Sequence, residues 1–303
     1  MKKFLYRILI FCIPIIIAWL GLELLYRCVP NNYSYKNKTV KENYNAQVLI
    51  LGNSHSFYGL NPGEFSLPAY NLSNISQSIY FDELLFNKHI EKFKKLKFVI
   101  LTVDYFTLGM EDDSAEDKWR KYFYNAQMDL KVPSVSCFNP RAYSLALVPR
   151  FSLTMHAVKQ YLNKGTLAEC NEKGWEQYYG ININNNAETG KEIVDKHEYG
   201  TLDFSGNVGR INNIIGECRE KNIKVVLVTM PVTSYYADNV NKQKLGKIIA
   251  QCNSFNKKDG VYYVNLFQDK RFNNADFYDV DHLNTKGAQK CTEILNDYIS
   301  EVD

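Results

Sequence analysis

The sequence predicts an α/β fold, a three-layer α/β/α doubly wound parallel sheet that follows an N-terminal transmembrane helix. Two observations predict this architecture. Short continuous apolar runs alternate with amphipathic helical segments, which indicates a parallel sheet covered by helices on both faces. A long apolar run also follows a cluster of basic residues at the N-terminus, and this arrangement is typical of a membrane span.

Five short segments have the apolar, β-branched composition of buried strands, and longer stretches between them have helical spacing. The predicted strands are residues 47–51, 69–72, 97–103, 223–229 and 261–267. The predicted helices are residues 82–93, 208–220, 243–255 and 285–299. In a doubly wound sheet the functional side chains follow the carboxyl ends of the strands.

The first 28 residues are predicted to be an uncleaved membrane anchor. Residues 8–22 are apolar or small, and Lys2, Lys3 and Arg7 precede them, so the positive-inside rule places the N-terminus in the cytoplasm and the C-terminal domain outside. A cleaved signal peptide is the main alternative, but the bulky residues 25–28 do not resemble a cleavage site. A buried core helix is disfavoured because the run is apolar on all sides.

Charge and cysteine content limit the classes of function. The first 28 residues carry a net charge of +3 and the whole chain also carries +3, so the remainder sums to zero and nucleic acid is not an expected partner. The seven cysteines form no C-x-x-C pair and no Cys/His metal spacing, so neither a metal nor another cofactor is predicted. They either pair in an exported domain or fill the core as small apolar residues.

The remainder of the chain is predicted to consist of a stalk and one domain. Residues 29–45 are rich in Asn, Lys and Tyr without periodicity and are interpreted as the stalk, and residues 46–303 as the α/β domain. An insertion at about 105–200 interrupts the pattern, with an Asn-rich run at 182–186 and a turn at Tyr199-Gly200. This insertion is either a lid or substrate wall, or a helical elaboration that packs on the scaffold.

Two short segments at opposite ends of the domain predict one hydrolytic site. The first predicted strand runs into Gly52-Asn53-Ser54-His55-Ser56, and Asp279-Val280-Asp281-His282 precedes the last predicted helix. A serine hydroxyl becomes a good nucleophile when a base takes its proton and a third group orients that base. Alone, Ser54 is consistent with a small turn residue and His282 with a surface histidine. Together with Asp279 they favour a site.

These segments resemble the SGNH/GDSL hydrolase superfamily, whose first block is a strand followed by G-D-S-x-S and whose last block is D-x-x-H. Here Asn53 stands in place of the Asp. The resemblance implies a flavodoxin-like sheet, with Ser54 as nucleophile, His282 as general base and Asp279 as its orienting carboxylate. Asp281 is interpreted as a cap for the following helix. His55 is the rival base, but a neighbour on a tight turn points away from Ser54.

The resemblance also implies where an oxyanion would be bound. The Ser54 backbone N–H is one donor, and Ser76 occupies the position of the family's second-block glycine. Asp104 stands where the third block carries an Asn side chain, and an ionised carboxylate there would repel an oxyanion. Asn74 is the candidate replacement donor.

The membrane anchor and the altered blocks resemble the membrane-anchored subgroup that acts on cell-envelope or capsular polysaccharides. The function predicted from this resemblance is that of an O-acetyl esterase or O-acetyltransferase that acts on an extracytoplasmic polysaccharide through an acyl-Ser54 intermediate. Its expected partners are an acylated glycan, the membrane and, for transfer, a multi-span acyl-donor transporter. The alternative is a non-catalytic glycan-binding or assembly protein that retains the scaffold.

Overall fold

The computed structural model describes residues 1–110, 118–182, 184–198 and 201–303. The predicted turn at Tyr199-Gly200 and position 183 of the Asn-rich run lie outside the described residues.

Five parallel strands form one sheet in the order β2-β1-β3-β4-β5. The strands are β1 Val48–Leu51, β2 Ala69–Asn71, β3 Phe98–Thr102, β4 Lys224–Thr229 and β5 Val261–Asn265. Every predicted strand is present, one or two residues shorter than predicted. The order reverses direction next to β1, so β1 and β3 flank the switch point at which ligands bind in open parallel sheets.

Eleven helices of four or more residues occur in the described part of the chain. They are α1 Lys2–Cys28, α2 Asn32–Glu42, α3 Ser54–Gly59, α4 Ile79–His89, α5 Arg120–Gln127, α6 Phe151–Lys164, α7 Ala187–His197, α8 Ser205–Glu220, α9 Ser234–Ala237, α10 Lys242–Phe255 and α11 Thr285–Val302. Short 3₁₀ turns lie at Pro62–Glu64, Ile90–Lys92, Pro140–Ala142, Leu145–Leu147 and Asn274–Asp276.

Helices cover both faces of the sheet, which confirms the predicted α/β class. Alternate strand residues such as Ile50, Ile100 and Val226 share a buried cluster with Leu295 and Ile299 of α11. The intervening strand residues are equally buried, so the opposite face is covered as well. Helix α4 packs against α8, and α11 packs against α3.

The chain divides into two compact units. Residues 1–38 and 118–169 belong to one unit, and residues 39–110, 170–182, 184–198 and 201–303 belong to the other. The sheet and both predicted motifs lie in the second unit. The predicted insertion at 105–200 is therefore shared between the units, with its middle part grouped with α1.

The segment predicted as a stalk contains a helix rather than irregular chain. Helix α2 buries Tyr33, Lys36, Asn37 and Val40, which recur at the spacing of one helical face. Two of these four side chains are polar, so hydrophobic periodicity gave no indication of the helix. The lack of hydrophobic periodicity therefore did not reveal the helix within the predicted stalk.

Helix α1 is long and apolar enough to cross a membrane. Its large apolar side chains, from Phe4 to Leu24, are mostly exposed. All seven cysteines belong to the described residues and none of them is paired; Cys170, Cys218, Cys252 and Cys291 are buried.

Candidate active site

A sharp turn after β1 presents Ser54. Gly52 has φ +131°, and a Cβ atom at this position would lie 1.8 Å from the Thr102 Oγ1 atom, so only glycine fits. Ser54 is the first residue of α3, where backbone N–H groups have no partner within the helix. It is the only residue between positions 48 and 60 that is not buried. The turn therefore exposes one hydroxyl at the carboxyl edge of the sheet.

Asn53 holds this turn through its side chain. Its Oδ1 atom accepts a hydrogen bond from the His55 backbone N–H at 2.8 Å and so caps α3. Its Nδ2 atom donates to Asp104 Oδ2 at 2.9 Å, which ties the turn to the end of β3. An aspartate at position 53 could make the first bond but would repel Asp104, which explains why an amide suits this chain.

A closed loop before α11 presents His282. Phe277 pairs with Leu283 across the loop, and the Tyr278 N–H donates to the His282 carbonyl at 2.8 Å. Asp279 Oδ1 accepts the backbone N–H of His282 at 2.8 Å and that of Asp281 at 3.2 Å. The loop geometry therefore places Asp279 and His282 beside each other before their side chains interact.

The fold brings the two predicted segments into contact. The His282 Nε2 atom lies 2.9 Å from Ser54 Oγ, and both oxygens of Asp279 lie 3.0 Å from His282 Nδ1. The His282 side chain is 19% exposed, so the Ser54–His282 pair can be reached from solvent. Hydroxyl, imidazole and carboxylate thus stand in the order that activates a serine for attack on a carbonyl.

A second set of charged groups is buried behind His282. His55 Nδ1 lies 3.2 Å from Asp104 Oδ2, and His55 Nε2 lies 3.2 Å from Asp281 Oδ2. The other oxygen of Asp281 lies 3.4 Å from His282 Nδ1. An imidazole between two carboxylates therefore connects the end of β3 to the loop of His282.

Two interpretations of acidic residues were wrong. Asp281 does not cap α11, because Asn284 accepts the Gly287 N–H at 3.0 Å and performs that role. Asp104 does not face an oxyanion: it accepts hydrogen bonds from Asn53 and from the Met230 N–H and pairs with His55. Its charge is compensated internally, so it does not oppose a negative charge at Ser54.

These contacts shift the pKa of each group. Burial alone would lower the pKa of His55, but Asp104 and Asp281 outweigh it and raise this pKa to about 10. Burial also opposes protonation of His282, yet Asp281 and Asp279 raise the pKa of His282 above its ordinary value. Although burial acts in the opposite direction, the neighbouring histidines hold the pKa values of Asp104 and Asp281 below their usual range. His55 is therefore an imidazolium near neutral pH.

A buried amide adjoins the nucleophile turn. The Asn74 N–H donates to the Gly52 carbonyl at 3.2 Å, and Asn74 Oδ1 accepts the Ile75 N–H at 2.9 Å. Its Nδ2 atom is buried and has no hydrogen-bond partner among the described residues. An unpaired buried donor costs free energy unless another group completes it. Asn74 therefore keeps a side-chain donor that no described residue uses.

Ser76 has φ +53°, in the left-handed region that glycine adopts without steric cost. The β-carbon makes this conformation less favourable by about 1 kcal/mol.

Three side chains near the site could offer ligands to a metal ion: His55, Asp281 and His282 have one potential ligand atom each, all within 4.8 Å of one another. Both ring nitrogens of His282 already face partners, Ser54 on one side and Asp279 on the other. A metal bound to His282 would therefore displace Ser54 or Asp279. Metal binding and the triad arrangement, which is the set of contacts Ser54–His282–Asp279, exclude each other.

Three tyrosine rings form a column beside His282. Tyr58 stacks on Tyr178 with ring centroids 3.9 Å apart, and Tyr178 stacks on Tyr278 at 4.1 Å. The Tyr58 and His282 rings meet edge to face, with their centroids 5.5 Å apart. In this tyrosine column, Tyr58, Tyr178 and Tyr278, the Tyr58 ring is buried and both faces of the Tyr178 ring are covered, so the half-buried Tyr278 at the end of the column is the ring that can offer a face to a ligand.

Sequence reasoning missed the buried pairing and the tyrosine column. His55 and Asp281 each neighbour a motif residue, but 226 positions separate them, and nothing in the local pattern indicates that they meet. Tyr178 belongs to the predicted insertion, which contains many aromatic residues without periodicity. His197 also lies nearby, 4.0 Å from Asp281, and burial lowers its pKa to about 4.

Comparisons with known proteins give a limited result. No protein-family model matches the chain, and no curated protein is similar to it in sequence. Among solved structures, it is similar to a GDSL-like lipase from Bacteroides thetaiotaomicron, with 12% identity, a TM-score of 0.43 and coverage of 90% of this chain and 100% of the other. It is also similar to a candidate acylhydrolase from Bacteroides fragilis, with 12% identity, a TM-score of 0.41 and coverage of 84% and 86%. With TM-scores this low, the likenesses carry no information about activity.

Proposed function

We propose that this protein carries out serine-dependent acyl-ester chemistry in the manner of SGNH/GDSL hydrolases. The observation that carries the proposal is the 2.9 Å contact between Ser54 Oγ and His282 Nε2, with Asp279 on the other ring nitrogen. The strand–turn position of Ser54 and the Asp-x-x-His loop before the last helix support membership of that superfamily. The buried position of Asp104 removes the main objection to activity.

The reaction proceeds in two halves. His282 Nε2 accepts the proton of Ser54 as Oγ attacks the ester carbonyl, and Asp279 stabilises the resulting imidazolium. The tetrahedral intermediate then collapses: the bond to the sugar oxygen breaks, and His282 returns the proton to this leaving oxygen. In the second half, water or a sugar hydroxyl loses a proton to His282 and attacks the acyl-Ser54 carbonyl. The bond between the acyl carbon and Ser54 Oγ then breaks, and His282 returns the proton to Oγ, which restores the free serine. Water gives a free acid, whereas a sugar hydroxyl gives a new ester.

The developing oxyanion is stabilised by donors from two loops. The Ser54 N–H at the start of α3 is one donor, and Asn74 Nδ2 is the second. The backbone N–H of Ser76 is a third candidate, because its φ of +53° lies in the region that favours glycine, the residue that the resemblance implies at this position. Asn74 thereby takes over the role of the amide that the family carries after the third strand.

The substrate class is an O-acylated polysaccharide outside the cytoplasm. The end of the tyrosine column supports a sugar, since Tyr278 is half-buried and stacks on Tyr178 through one face, and the other face of such a ring can pack against the C–H face of a pyranose. Helix α1, with basic residues in its first two turns, anchors the domain on the outer side. Transfer of acetyl groups would require a multi-span partner to supply the donor.

Hydrolysis and transfer assays test the proposal on the full chain in detergent. The wild type and Ser56→Ala should release acetate from an acetylated glycan or a chromogenic acetyl ester, or move acetyl to a glycan acceptor, as followed by mass spectrometry. Ser54→Ala should do neither. Ser56 is the matched control because it lies two residues away with its hydroxyl bonded to Asn53 and Thr102. Activity that survives in Ser54→Ala refutes the proposal; glycan binding without turnover in any variant favours the non-catalytic binder.

A further inference from the structure

Residues 138–164 expose large apolar side chains that a water-facing surface seldom carries. Phe138 is 94% exposed, Phe151 81% and Leu162 76%. Tyr143, Leu153 and Met155 are exposed as well. Phe151, Met155 and Leu162 also fall on one side of α6 by helical spacing, and grouped apolar exposure marks a surface that contacts a partner or a lipid. These six side chains are named here the apolar surface.

The apolar surface is held against the C-terminal part of α1 within the same unit. The Trp19 indole N–H donates to Ser144 Oγ at 3.0 Å, and the Glu23 carboxylate accepts from Ser144 Oγ at 2.7 Å and from the Ala146 N–H at 3.0 Å. Arg27 donates to the Tyr143 carbonyl at 2.7 Å. The loop before α6 therefore lies at the level of residues 19–27 of α1.

If α1 crosses a membrane, its residues 19–27 lie at the edge of the hydrocarbon layer. A helix of 27 residues is about 40 Å long at ~1.5 Å per residue, whereas the hydrocarbon layer is ~30 Å thick. The charged pair Glu23–Arg27 therefore lies among the headgroups, and Trp19 lies at the boundary that tryptophan prefers. Tyr143 is at the same depth, and α6, which carries Phe151 and Leu162, is tied to this end of α1 by the hydrogen bond from Tyr26 to Thr154.

The charge of the segment fits an anionic bilayer. No Asp or Glu occurs from residue 130 to 168, but five basic residues do: Lys131, Arg141, Arg150, Lys159 and Lys164. All five are exposed. The chain after Cys28 has no net charge, so this concentration is local. Basic residues beside exposed aromatic and leucine side chains characterise segments that lie in the membrane interface.

An apolar groove beside α6 also favours lipid as the occupant. It has a volume of about 600 Å³ and is lined by Leu22 and Leu25 of α1 and by Val158 and Tyr161 of α6. It is continuous with the helix that faces the hydrocarbon layer, so an acyl chain can enter it without leaving the bilayer.

We propose that residues 138–164 form a second membrane contact, which inserts its apolar surface into the headgroup region of a bilayer that contains anionic lipid. The proposal rests on α1 crossing the membrane and does not depend on the reaction at Ser54. This contact fixes the unit that contains α1 to the bilayer at two places instead of one.

Spin-label accessibility in nanodiscs tests the second contact on the full chain. In a background with Cys12→Ala, Cys28→Ser and Cys137→Ser, a label is placed through Leu162→Cys or, separately, Phe151→Cys, both of them exposed sites that tolerate a label. The matched control is Glu217→Cys, an exposed position of α8 in the other unit. The accessibility of each spin label is measured with two relaxing agents: oxygen, which concentrates in lipid, and a nickel chelate, which stays in water.

In nanodiscs with phosphatidylglycerol, labels at 162 and 151 should show an oxygen-to-nickel ratio several-fold higher than the label at 217. Lys159→Gln combined with Lys164→Gln should lower this ratio, and so should replacement of phosphatidylglycerol by phosphatidylcholine. Labels at 162 and 151 that are as accessible to nickel as the label at 217 would overturn the proposal, because the surface would then face water. A ratio independent of lipid charge would overturn its electrostatic part.

Discussion

The Nε2 atom of His282 lies 2.9 Å from the Oγ atom of Ser54, although 228 positions separate the two residues in the chain. Ser54 follows the turn after β1 and His282 precedes α11, and α11 packs against the helix that Ser54 begins. The contact is therefore a product of sheet topology, which brings the first strand and the last helix to one edge. Its chemical consequences can be tested one residue at a time.

Asn74→Ala should lower kcat for acetyl-ester hydrolysis by about 10²–10³-fold with little change in KM, since an oxyanion donor acts in the transition state. The buried Nδ2 atom of Asn74, which has no partner among the described residues, is the basis of this prediction. Steady-state kinetics on a chromogenic ester measures it. Asn61→Ala, which removes a cap from an exposed turn, serves as the control. A kcat equal to that of the wild type would exclude Asn74 as a donor.

The acid limb of kcat/KM should report the ionisation of His282, which must be neutral to accept the Ser54 proton. Although burial acts against it, Asp281 and Asp279 raise the pKa of His282, so activity should fall as the pH drops through a value above 6.5. Asp281→Asn removes one of the two carboxylates and should move the limb to lower pH. Asp297→Asn, on the exposed side of α11, should leave it in place. An acid limb that Asp281→Asn does not move contradicts this assignment.

His55→Gln should destabilise the protein most at acidic to neutral pH. The pKa of His55 is about 10 in the folded protein against 6.5 ordinarily, so the folded state keeps a proton that the unfolded state releases. The resulting stability is fully present below about pH 6.5 and is lost as the pH rises towards 10. At pH 6 the substitution leaves Asp104 and Asp281 without their counter-charge, at a cost of roughly 3–5 kcal/mol.

Urea unfolding of the full chain in detergent at pH 6 and pH 9.5 checks this prediction, with His156→Gln on the exposed side of α6 as the control. The difference between wild type and His55→Gln should be smaller at the higher pH. A difference that is equal at both values would show that His55 is not held as an imidazolium.

Tyr278→Ala should raise KM for an acetylated oligosaccharide by about tenfold, or about 1.4 kcal/mol, if the tyrosine column packs against sugar. Hydrolysis of a small chromogenic acetate should change little, because Tyr278 stacks on Tyr178 rather than on His282. Tyr179→Ala is the control, since this neighbour is 74% exposed and lies outside the column. Equal losses on both substrates would assign Tyr278 a structural role only.

The sheet was predictable because its strands are short apolar runs that are buried on both faces, a pattern visible without tertiary information. Helix α2 was not, since Lys36 and Asn37 occupy the buried side of a helix whose hydropathy pattern is polar. Its stability depends on tertiary partners, which local sequence does not specify.

The residues of the triad arrangement were predictable because each lies in a short motif with fixed spacing. The ion pair between His55 and Asp281 was not, because it joins residues whose proximity follows only from the folded topology. The same holds for Asp104. From sequence it was an acidic residue in place of an amide, whereas in the fold it is the counter-ion of His55. Buried charges obtain their role from neighbours that are distant in the chain.

The most direct measurement is covalent labelling of the full chain with a fluorophosphonate probe, followed by peptide mass spectrometry. Because His282 and Asp279 are placed to activate one hydroxyl, the probe should modify Ser54 in the wild type and in Ser56→Ala. Ser54→Ala should not be modified, and His282→Gln should react far more slowly. Modification that persists in Ser54→Ala, or a wild-type protein that stays unmodified while it is folded, would contradict the assignment of Ser54 as an activated nucleophile.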